Sequence, residues 1–376
     1  DKPVVQVPDA SLVVNVCNDL TNTDKSKTFI ENLLENQEKE RKKHAGKTKQ
    51  KLLPIEEARK KPISFDWESQ EIAVPDENAL GVQKITASLE DVLEFFDWSP
   101  FFWSWELKGQ YPSIFDRSDS GKEAKDLFDN AQKLLNRIIE QDLFTCEAVV
   151  GIWPANSNAD DVVIFNDSEN KNEINRFHFI RRQQTILDQP QFCLSDFIAP
   201  LSSKRTDYLG AFAVCAGSGV DSLAIEFENE NDDYNAIMTK ALGDRFAEGM
   251  AELTHKKVRE IWGFGDNEKL SNSDLIKEKY RGIRPASGYP CQPDHTEKDT
   301  IWELLDVKNK IGLELTESRA MNPGCSVSGL YFSHPEAKYF NVGKLDKDQV
   351  QDYAKRKNWP LEEALKWLRP NLGFDS

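Results

Sequence analysis

The sequence lacks the residue clusters that mark most metal centres and nucleophile-based active sites. Its six cysteines and five histidines are dispersed over 376 residues, with no C-x-x-C pair and no close group of cysteine and histidine. Such spacing provides no zinc site and is typical of free thiols in a reducing compartment. His295 and His334 have no cysteine or serine partner at a recognisable spacing. We therefore predict no metal site and no catalytic residue within this chain.

Long apolar runs and an excess of basic charge are also missing. No stretch approaches the ~18 apolar residues that a membrane-spanning helix needs, so no membrane association is expected. The net charge is −16, which argues against nucleic acid as a partner because phosphate binding requires a basic face. The first residues, Asp1–Val5, match neither a signal peptide nor a transit peptide. These features predict a cytoplasmic protein, and we interpret the chain as a fragment of a longer one.

What the sequence does contain is a mixture of helical and strand-like segments. The long segment 233–262 has apolar residues at spacings of four and three, which predicts a helix with a core-facing stripe. Further helices are predicted at 89–96, 121–140, 272–280, 297–308, 347–357 and 360–369.

Strand-like segments occur singly and in close pairs, at 146–153, 161–166, 208–216, 326–332 and 338–345. Short turn-rich links join two of these pairs, which favours antiparallel hairpins. The links are Pro154–Asp160 and Ser333–Ala337. Helices do not alternate strictly with strands, so a doubly wound parallel sheet is not expected. The sequence therefore predicts an α+β fold.

The composition changes along the chain, and this predicts three parts. Residues 9–16 are interpreted as a short strand, and residues 24–45 as a charged amphipathic helix. The basic stretch Lys47–Lys51 and the breaks at Pro54 and Pro62 are typical of an interdomain linker. From about Phe65 onward the composition is that of a compact domain. The predicted boundaries are 1–23, 24–63 and 64–376.

The most informative stretch is the loop formed by residues 281–298. Arg284 precedes Pro285 and can bind a carboxylate through two parallel hydrogen bonds. Gly288 permits a close backbone approach or a positive φ, and Tyr289 provides an aromatic wall with a polar tip. An acidic helix start follows directly. The loop can therefore hold a small zwitterion, although a surface turn between two helices is the alternative interpretation.

The pattern R-x-R-P-x-x-G-Y-P in this loop resembles the S-adenosylmethionine-binding loop in the reactivation domain of cobalamin-dependent methionine synthase. Further segments are similar to this family in the same order, over roughly residues 64–376. They are Phe96–Phe102 (F-D-W-S-P-F-F), Val150–Asn156 (V-G-I-W-P-A-N), Arg181–Gln184, Asp196–Pro200, Asp207–Phe212, Asp232–Asn235, Leu315–Ser318, Ser326–Gly329, Tyr331–Pro335 and Lys338–Phe340. The resemblance implies a single C-shaped domain around a twisted antiparallel sheet flanked by helices.

The resemblance also implies which residues bind S-adenosylmethionine. Arg284 matches the carboxylate-binding arginine, and acidic residues match those near the sulfonium and the amino group, without an assignment of each acid to a cation. Aromatic and small residues match those that frame the ligand. The predicted binding residues are Asp97, Glu248, Glu278, Arg284, Ala286, Gly288, Tyr289, Tyr339 and Phe340.

Several of these residues have a simpler alternative role. Asp97 precedes Trp98-Ser99-Pro100 and is also suited to capping a turn. Glu248 shares a helix face with Asp244 and Glu252, as a solvated acid does, and Glu278 lies in a charged segment. Tyr339 and Phe340 are strand formers for which core packing is the usual role.

The family's cofactors and partners are expected to lie largely outside this chain. The cobalamin-binding motif D-x-H-x-x-G does not occur in it, so cobalamin is expected in a preceding domain, of which residues 1–23 are interpreted as a remnant. Zinc is expected only in the N-terminal part of the full enzyme. The resemblance implies a flavoprotein electron donor, either flavodoxin or a diflavin methionine synthase reductase. It further implies reductive methylation of oxidised cob(II)alamin, which restores methylcobalamin for the synthesis of methionine from homocysteine.

Other functions are alternatives to this one. A self-sufficient methyltransferase normally has a glycine-rich strand–loop–helix motif, and Gly217-Ser218-Gly219 is too sparse for one. A stand-alone corrinoid reactivase and an S-adenosylmethionine-binding regulatory module remain open. The expected activity is that of a methyltransferase fragment that is not active alone, because the chain offers ligand-holding groups and no general base.

Overall fold

The computed structural model divides into two compact units, residues 1–51 and residues 52–376. Each unit is described by itself. The residues that the structure describes are 4–5, 13–22, 25–45, 52–167, 169, 172–185, 189–265 and 268–374.

The first unit contains two helices, α1 (Val13–Thr21) and α2 (Ser26–Ala45). Helix α2 confirms the predicted charged helix. The predicted strand 9–16 is wrong where it can be compared, because residues 13–16 are helical. Its valines suggested a strand, but β-branched residues are only slightly disfavoured in helices, and here α1 packs against α2. Residues 9–12 and the predicted basic linker Lys47–Lys51 lie outside the described residues.

The second unit is built around an antiparallel sheet. In the described part of the chain the strands are β1 (Gly81–Thr86), β2 (Glu147–Asn158), β3 (Asp161–Phe165), β4 (Glu173–His178), β5 (Asp207–Cys215), β6 (Glu314–Leu315), β7 (Met321–Asn322) and β8 (Ser326–Tyr331). The main sheet has the order β4-β3-β2-β5-β8, and β1 also pairs with β2. Strands β6 and β7 form a separate pair. The α+β fold with an antiparallel sheet is confirmed.

The long strand β2 organises this sheet. One of its edges pairs with β5 from Glu147 to Ala155. The other edge pairs first with β1 and then, from Ala155 onward, with β3. The β2–β3 hairpin predicted from the sequence is therefore present, with a turn at Ala159 and Asp160 that is shorter than expected.

Strand β5 is buried along its whole length because helices cover both faces of the sheet. Phe212 and Val214 belong to the core beneath the helices of residues 89–261, whereas Ala211 and Ala213 belong to the core beneath the helices of residues 297–311. Alternate side chains of a strand point to opposite faces, so both sets are apolar here. A third, smaller core lies between the helices of residues 347–367.

The helices of this unit agree largely with the predicted ones. The apolar stripe predicted for α8 (Met238, Leu242, Phe246, Met250 and Leu253) is at most 5% exposed. The prediction missed α3, α5 and α7 and merged α10 with α11. The observed bounds are α3 (Ile55–Arg59), α4 (Leu89–Leu93), α5 (Ser99–Ser104), α6 (Gly121–Glu140), α7 (Gly219–Asn229), α8 (Asp233–Ile261), α9 (Asn272–Ile276), α10 (Glu297–Leu305), α11 (Val307–Ile311), α12 (Lys347–Arg356) and α13 (Leu361–Trp367).

The predicted strand 338–345 is wrong. This segment is extended, but its backbone bonds to other parts of the chain instead of to β8. The amide of Phe340 donates to the Cys291 sulfur at 3.0 Å, and the amide of Val342 donates to the Pro290 carbonyl at 3.0 Å. The segment therefore crosses the 281–298 loop, and it does not form the predicted hairpin with β8.

Residues 52–63, predicted to belong to the linker, are part of the second unit and pack on the rest of it. The amide of Leu53 donates to the Gln183 carbonyl at 2.9 Å. Arg59 donates from Nε to the buried carboxylate of Asp160 at 2.8 Å. The predicted boundary at 63/64 itself stays a prediction. No helix in the described ranges has the length and apolar character needed to cross a membrane.

Candidate functional site

A groove of about 660 Å³ lies where the 281–298 loop meets the edge of the sheet and helix α8. Seven of the nine predicted binding residues line it; Asp97 and Gly288 do not. The lining residues are Phe212, Glu248, Glu278, Arg284, Pro285, Ala286, Ser287, Tyr289, Pro290, Cys291, His295, Lys298, Ala320, Met321, Ser326, Val327, Ser328, Tyr339 and Phe340.

The start of the loop is attached to β8 by strand-like hydrogen bonds. Ile283 and Phe332 exchange two backbone bonds of 3.0 and 3.1 Å, and the Leu330 amide donates to the Pro285 carbonyl at 2.9 Å. Arg284 lies between these two positions. Because neighbouring residues in an extended segment point to opposite sides, Ile283 enters the core while Arg284 lines the groove.

Arg284 forms an ion pair with Glu252 of α8, from Nη2 to Oε1. Both side chains are largely buried, with exposed fractions of 13% and 11%. Burial, the largest single influence, disfavours the charge on the guanidinium, but Glu252 together with neighbouring tyrosines more than offsets it and raises the pKa of Arg284. Burial also raises the pKa of Glu252, although Arg284 opposes this shift. The guanidinium therefore remains charged in the groove wall.

Two further carboxylates, Glu248 and Glu278, line the groove and lie near Glu252. Glu248 lies one turn before Glu252 on α8, and so shares its face. Glu278 follows α9 and has a left-handed backbone with a φ of 54°. This conformation is uncommon for a residue with a side chain and is often found at functional sites. The groove can thus bind a ligand that carries positive charge.

Gly288 shapes the loop without lining the groove. Its φ is 96°, and its amide donates to the Gln292 carbonyl at 2.7 Å. A Cβ atom placed on Gly288 would lie 2.2 Å from Cε1 of His295. The His295 ring is held in turn by Lys298, whose Nζ lies 3.2 Å from Nδ1. Only glycine fits here, because both the backbone angle and the close ring exclude a side chain.

Aromatic side chains border the opening of the groove. Tyr289 is 65% exposed and Tyr339 is 43% exposed, although both contribute to the lining. The Tyr339 hydroxyl accepts a 3.1 Å bond from the Arg284 amide, and burial raises the pKa of Tyr339 to about 12. Phe340 stacks on Phe192 with 5.4 Å between ring centroids. Exposed rings of this kind provide flat surfaces for a planar ligand group.

Asp97 is placed apart from the other predicted binding residues. Its carboxylate accepts a 2.9 Å hydrogen bond from the Ser99 amide at the start of α5, as a turn-capping residue does. It does not line the groove. Its role in ligand binding stays a prediction.

The sequence reasoning missed several groove residues. The lining includes Ser326, Val327 and Ser328 of β8, a segment that resembles the family but was not predicted to bind the ligand. Lys298 was also missed. It is 7% exposed, and burial lowers its pKa. Glu252, which contacts Arg284 without lining the groove, was not predicted either, and no spacing rule links it to Arg284, which lies 32 residues further along the chain.

Together, the fold and the groove define an α+β domain with a candidate binding groove, which combines a guanidinium, carboxylates and exposed aromatic rings. Residues 88–358 match the family model described as the activation domain of vitamin B12 dependent methionine synthase. The chain belongs to this family.

A solved structure agrees with the family match. It is described as the reactivation domain of MetH bound to AdoHcy, and it is 47% identical to this chain with a TM-score of 0.84. The similarity covers 86% of this chain and 99% of that one. The family and the fold predicted from the sequence are therefore confirmed. The family model describes a domain of a methyltransferase, and membership in the family implies a partner domain that carries cobalamin.

Proposed function

We propose that the groove binds S-adenosylmethionine as the methyl donor for reductive methylation of oxidised cobalamin held by a partner domain. The observation that carries this proposal is the convergence of Arg284, Glu248 and Glu278 with two exposed tyrosine rings in one groove. The AdoHcy bound to the similar MetH domain supports a ligand of this class.

Each part of this ligand has a chemically suitable partner in the groove. The ligand carries a carboxylate, which suits Arg284, and two cations, the ammonium and the sulfonium, which suit Glu248 and Glu278. Its adenine is planar and suits a flat aromatic surface such as Tyr289 or Tyr339. The charged residues of the lining therefore favour S-adenosylmethionine over an uncharged nucleoside as the ligand.

The proposed reaction requires this chain only to position the methyl donor. The S–CH₃ bond breaks and its electron pair stays on sulfur, while the methyl group forms a bond to the reduced cobalt of the acceptor. No proton is removed, so no general base is required of this chain. Its residues hold the donor in line and leave the methyl group accessible. The electron that reduces the cobalt is proposed to come from a flavoprotein that docks on this acidic chain, partly by electrostatics.

The same proposal includes the domain organisation. Residues 64–376 would form the activation domain, residues 24–63 a linker, and residues 1–23 the end of a cobalamin-binding domain. The chain would then transfer no methyl group unless a cobalamin domain and a reductant are supplied. A single-turnover assay with and without these additions tests this point, and methyl transfer by the chain alone would contradict it.

The binding site is tested by replacing Arg284. Arg284→Ala should weaken S-adenosylmethionine binding by roughly 10- to 150-fold, because a charge-assisted hydrogen bond contributes about 1.5–3 kcal/mol. Arg284→Lys should also bind more weakly, since an ammonium cannot reproduce the planar fork. Affinities are measured by isothermal titration calorimetry.

Arg117→Ala is the matched control for this experiment. Arg117 is paired with the exposed Asp119 at 2.6 Å and does not line the groove. Its replacement should leave the affinity unchanged. Wild-type affinity in Arg284→Ala would remove the proposed site.

A further inference from the structure

Helix α8 presents Glu252 to the back of the groove, where it neutralises Arg284. Oε1 of Glu252 accepts from Nη2 of Arg284, and this is the only carboxylate contact of Arg284 within the described residues. Glu252 does not itself line the groove. It therefore contacts the arginine from behind.

Three further polar side chains lie near this pair, and none of them is an anion that could serve as its counterion. His255 is buried, and burial together with Arg259 and Arg284 keeps its pKa well below the usual value, so it is neutral. Burial raises the pKa values of Tyr280 and Tyr331, which are therefore also neutral.

The neighbouring arginine has a counterion of its own. Arg259 pairs with Glu268, from Nε to Oε2, at 2.8 Å. Glu268 is thus engaged, and within the described residues Glu252 is the carboxylate that pairs with Arg284. A buried guanidinium that loses its counterion is unstable in that position, because its desolvation is no longer offset.

Glu252 leaves part of the guanidinium unused. Nη1 of Arg284 is buried and has no hydrogen-bond partner in the described part of the chain, and the same is true of Oε2 of Glu252. The pair thus forms through one nitrogen and one oxygen. An arginine that is held in this way keeps donor capacity for a second carboxylate.

We propose that Glu252 is a positioning residue that holds the Arg284 guanidinium in the groove wall, ready for the carboxylate of the ligand. This inference rests on the proposed function, because it takes S-adenosylmethionine as the ligand. Glu252 would act on affinity through Arg284 and only for ligands that carry the carboxylate. Without it, the arginine would turn toward solvent and lose its preorganised geometry.

The test compares two ligands that differ only in this carboxylate. Dissociation constants for S-adenosylmethionine and decarboxylated S-adenosylmethionine are measured with the wild-type chain and with Glu252→Gln. The decarboxylated ligand carries one more net positive charge, so losing a nearby negative charge would by itself raise the preference for S-adenosylmethionine. A fall in that preference is therefore opposite to the general charge effect. The preference for the carboxylated ligand should fall about tenfold in Glu252→Gln. It should stay at the wild-type value in Glu260→Gln, which removes an exposed acid from the same helix.

A double-mutant cycle shows whether Glu252 acts through Arg284. In an Arg284→Met background, Glu252→Gln should not change the ligand preference further. If Glu252→Gln fails to fold, Glu252→Asp replaces it, since it keeps the charge but withdraws the carboxylate by one methylene group.

Several results would overturn the inference. An unchanged preference would exclude a positioning role, and an increased preference would show that Glu252 competes with the ligand. An equal effect in the Arg284→Met background would show that Glu252 acts by another route. Absence of S-adenosylmethionine binding by the wild-type chain would instead refute the proposed function.

Discussion

Gly288 offers a sharp test of how the loop is built. In Gly288→Ala the new Cβ would lie 2.2 Å from Cε1 and 2.5 Å from Nδ1 of His295. The ring is exposed, but it can withdraw only by giving up its 3.2 Å contact with Nζ of Lys298. Alanine must also adopt a φ of 96°. The substitution therefore combines backbone strain with a steric clash.

The cost of backbone strain can be measured without the cost of the clash by making the same substitution at a second glycine, Gly263. A positive φ costs a residue with a side chain about 1–2 kcal/mol, and a clash that displaces a neighbouring side chain adds up to about 1–3 kcal/mol. Gly263 has a φ of 88°, and a Cβ atom placed on it would meet no other atom within 4 Å. Gly263→Ala should thus lose about 1–2 kcal/mol of unfolding free energy, and Gly288→Ala about 2–5 kcal/mol.

Chemical denaturation measures the stabilities, and calorimetry measures S-adenosylmethionine binding. Gly288→Ala should also weaken binding at least tenfold, because the loop that carries Arg284 must shift, whereas Gly263→Ala should bind normally. Adding His295→Ala to Gly288→Ala should recover most of the clash cost. Equal destabilisation by the two glycine variants, with normal binding by both, would refute this reasoning.

Two further predictions concern buried charges. Burial raises the pKa of Asp207 to about 6, although main-chain amides oppose the shift. An acid whose folded pKa lies above its unfolded value contributes stability at low pH, and loses it as the pH rises through 6. Asp207→Asn should therefore be more destabilising at pH 4 than at pH 7, by about 2–3 kcal/mol, as measured by urea titration; a pH-independent difference would contradict this. Lys357→Met should cost about 3–5 kcal/mol in the same assay, because it leaves the carboxylates of Asp294 and Glu297 buried without their cation. Lys366→Met, which removes an exposed ion pair, should cost less than about 1 kcal/mol. Similar costs for Lys357→Met and Lys366→Met would show that the ion pairs of Lys357 are not shielded from water.

The parts of the fold that could be predicted are those with a strong apolar period. Helix α8 and strand β5 bury complete stripes or faces, and their residues are regularly spaced. Strands β1 and β4 were missed because each has only one buried residue, so no alternation is visible in the sequence. Edge strands of this kind are specified by their neighbours.

Tyr339 and Phe340 show why the predicted strand at 338–345 failed. Adjacent aromatic residues favour strands, but they also serve as the walls of binding grooves, and sequence alone does not separate these roles. Most of the candidate site was predicted through family similarity, as with Arg284, Glu248 and Glu278. Glu252 was not predicted, because its ion pair joins a helix to a loop that is distant in sequence.

The pairing of residues 283–285 with the edge of β8 has a consequence for how this region can vary. Side chains in paired extended segments alternate with a period of two, so a slip of one residue would bring Ile283 or Pro285 into the place of the guanidinium. An insertion or deletion within residues 283–285 would therefore move the guanidinium out of the groove unless a bulge absorbs it.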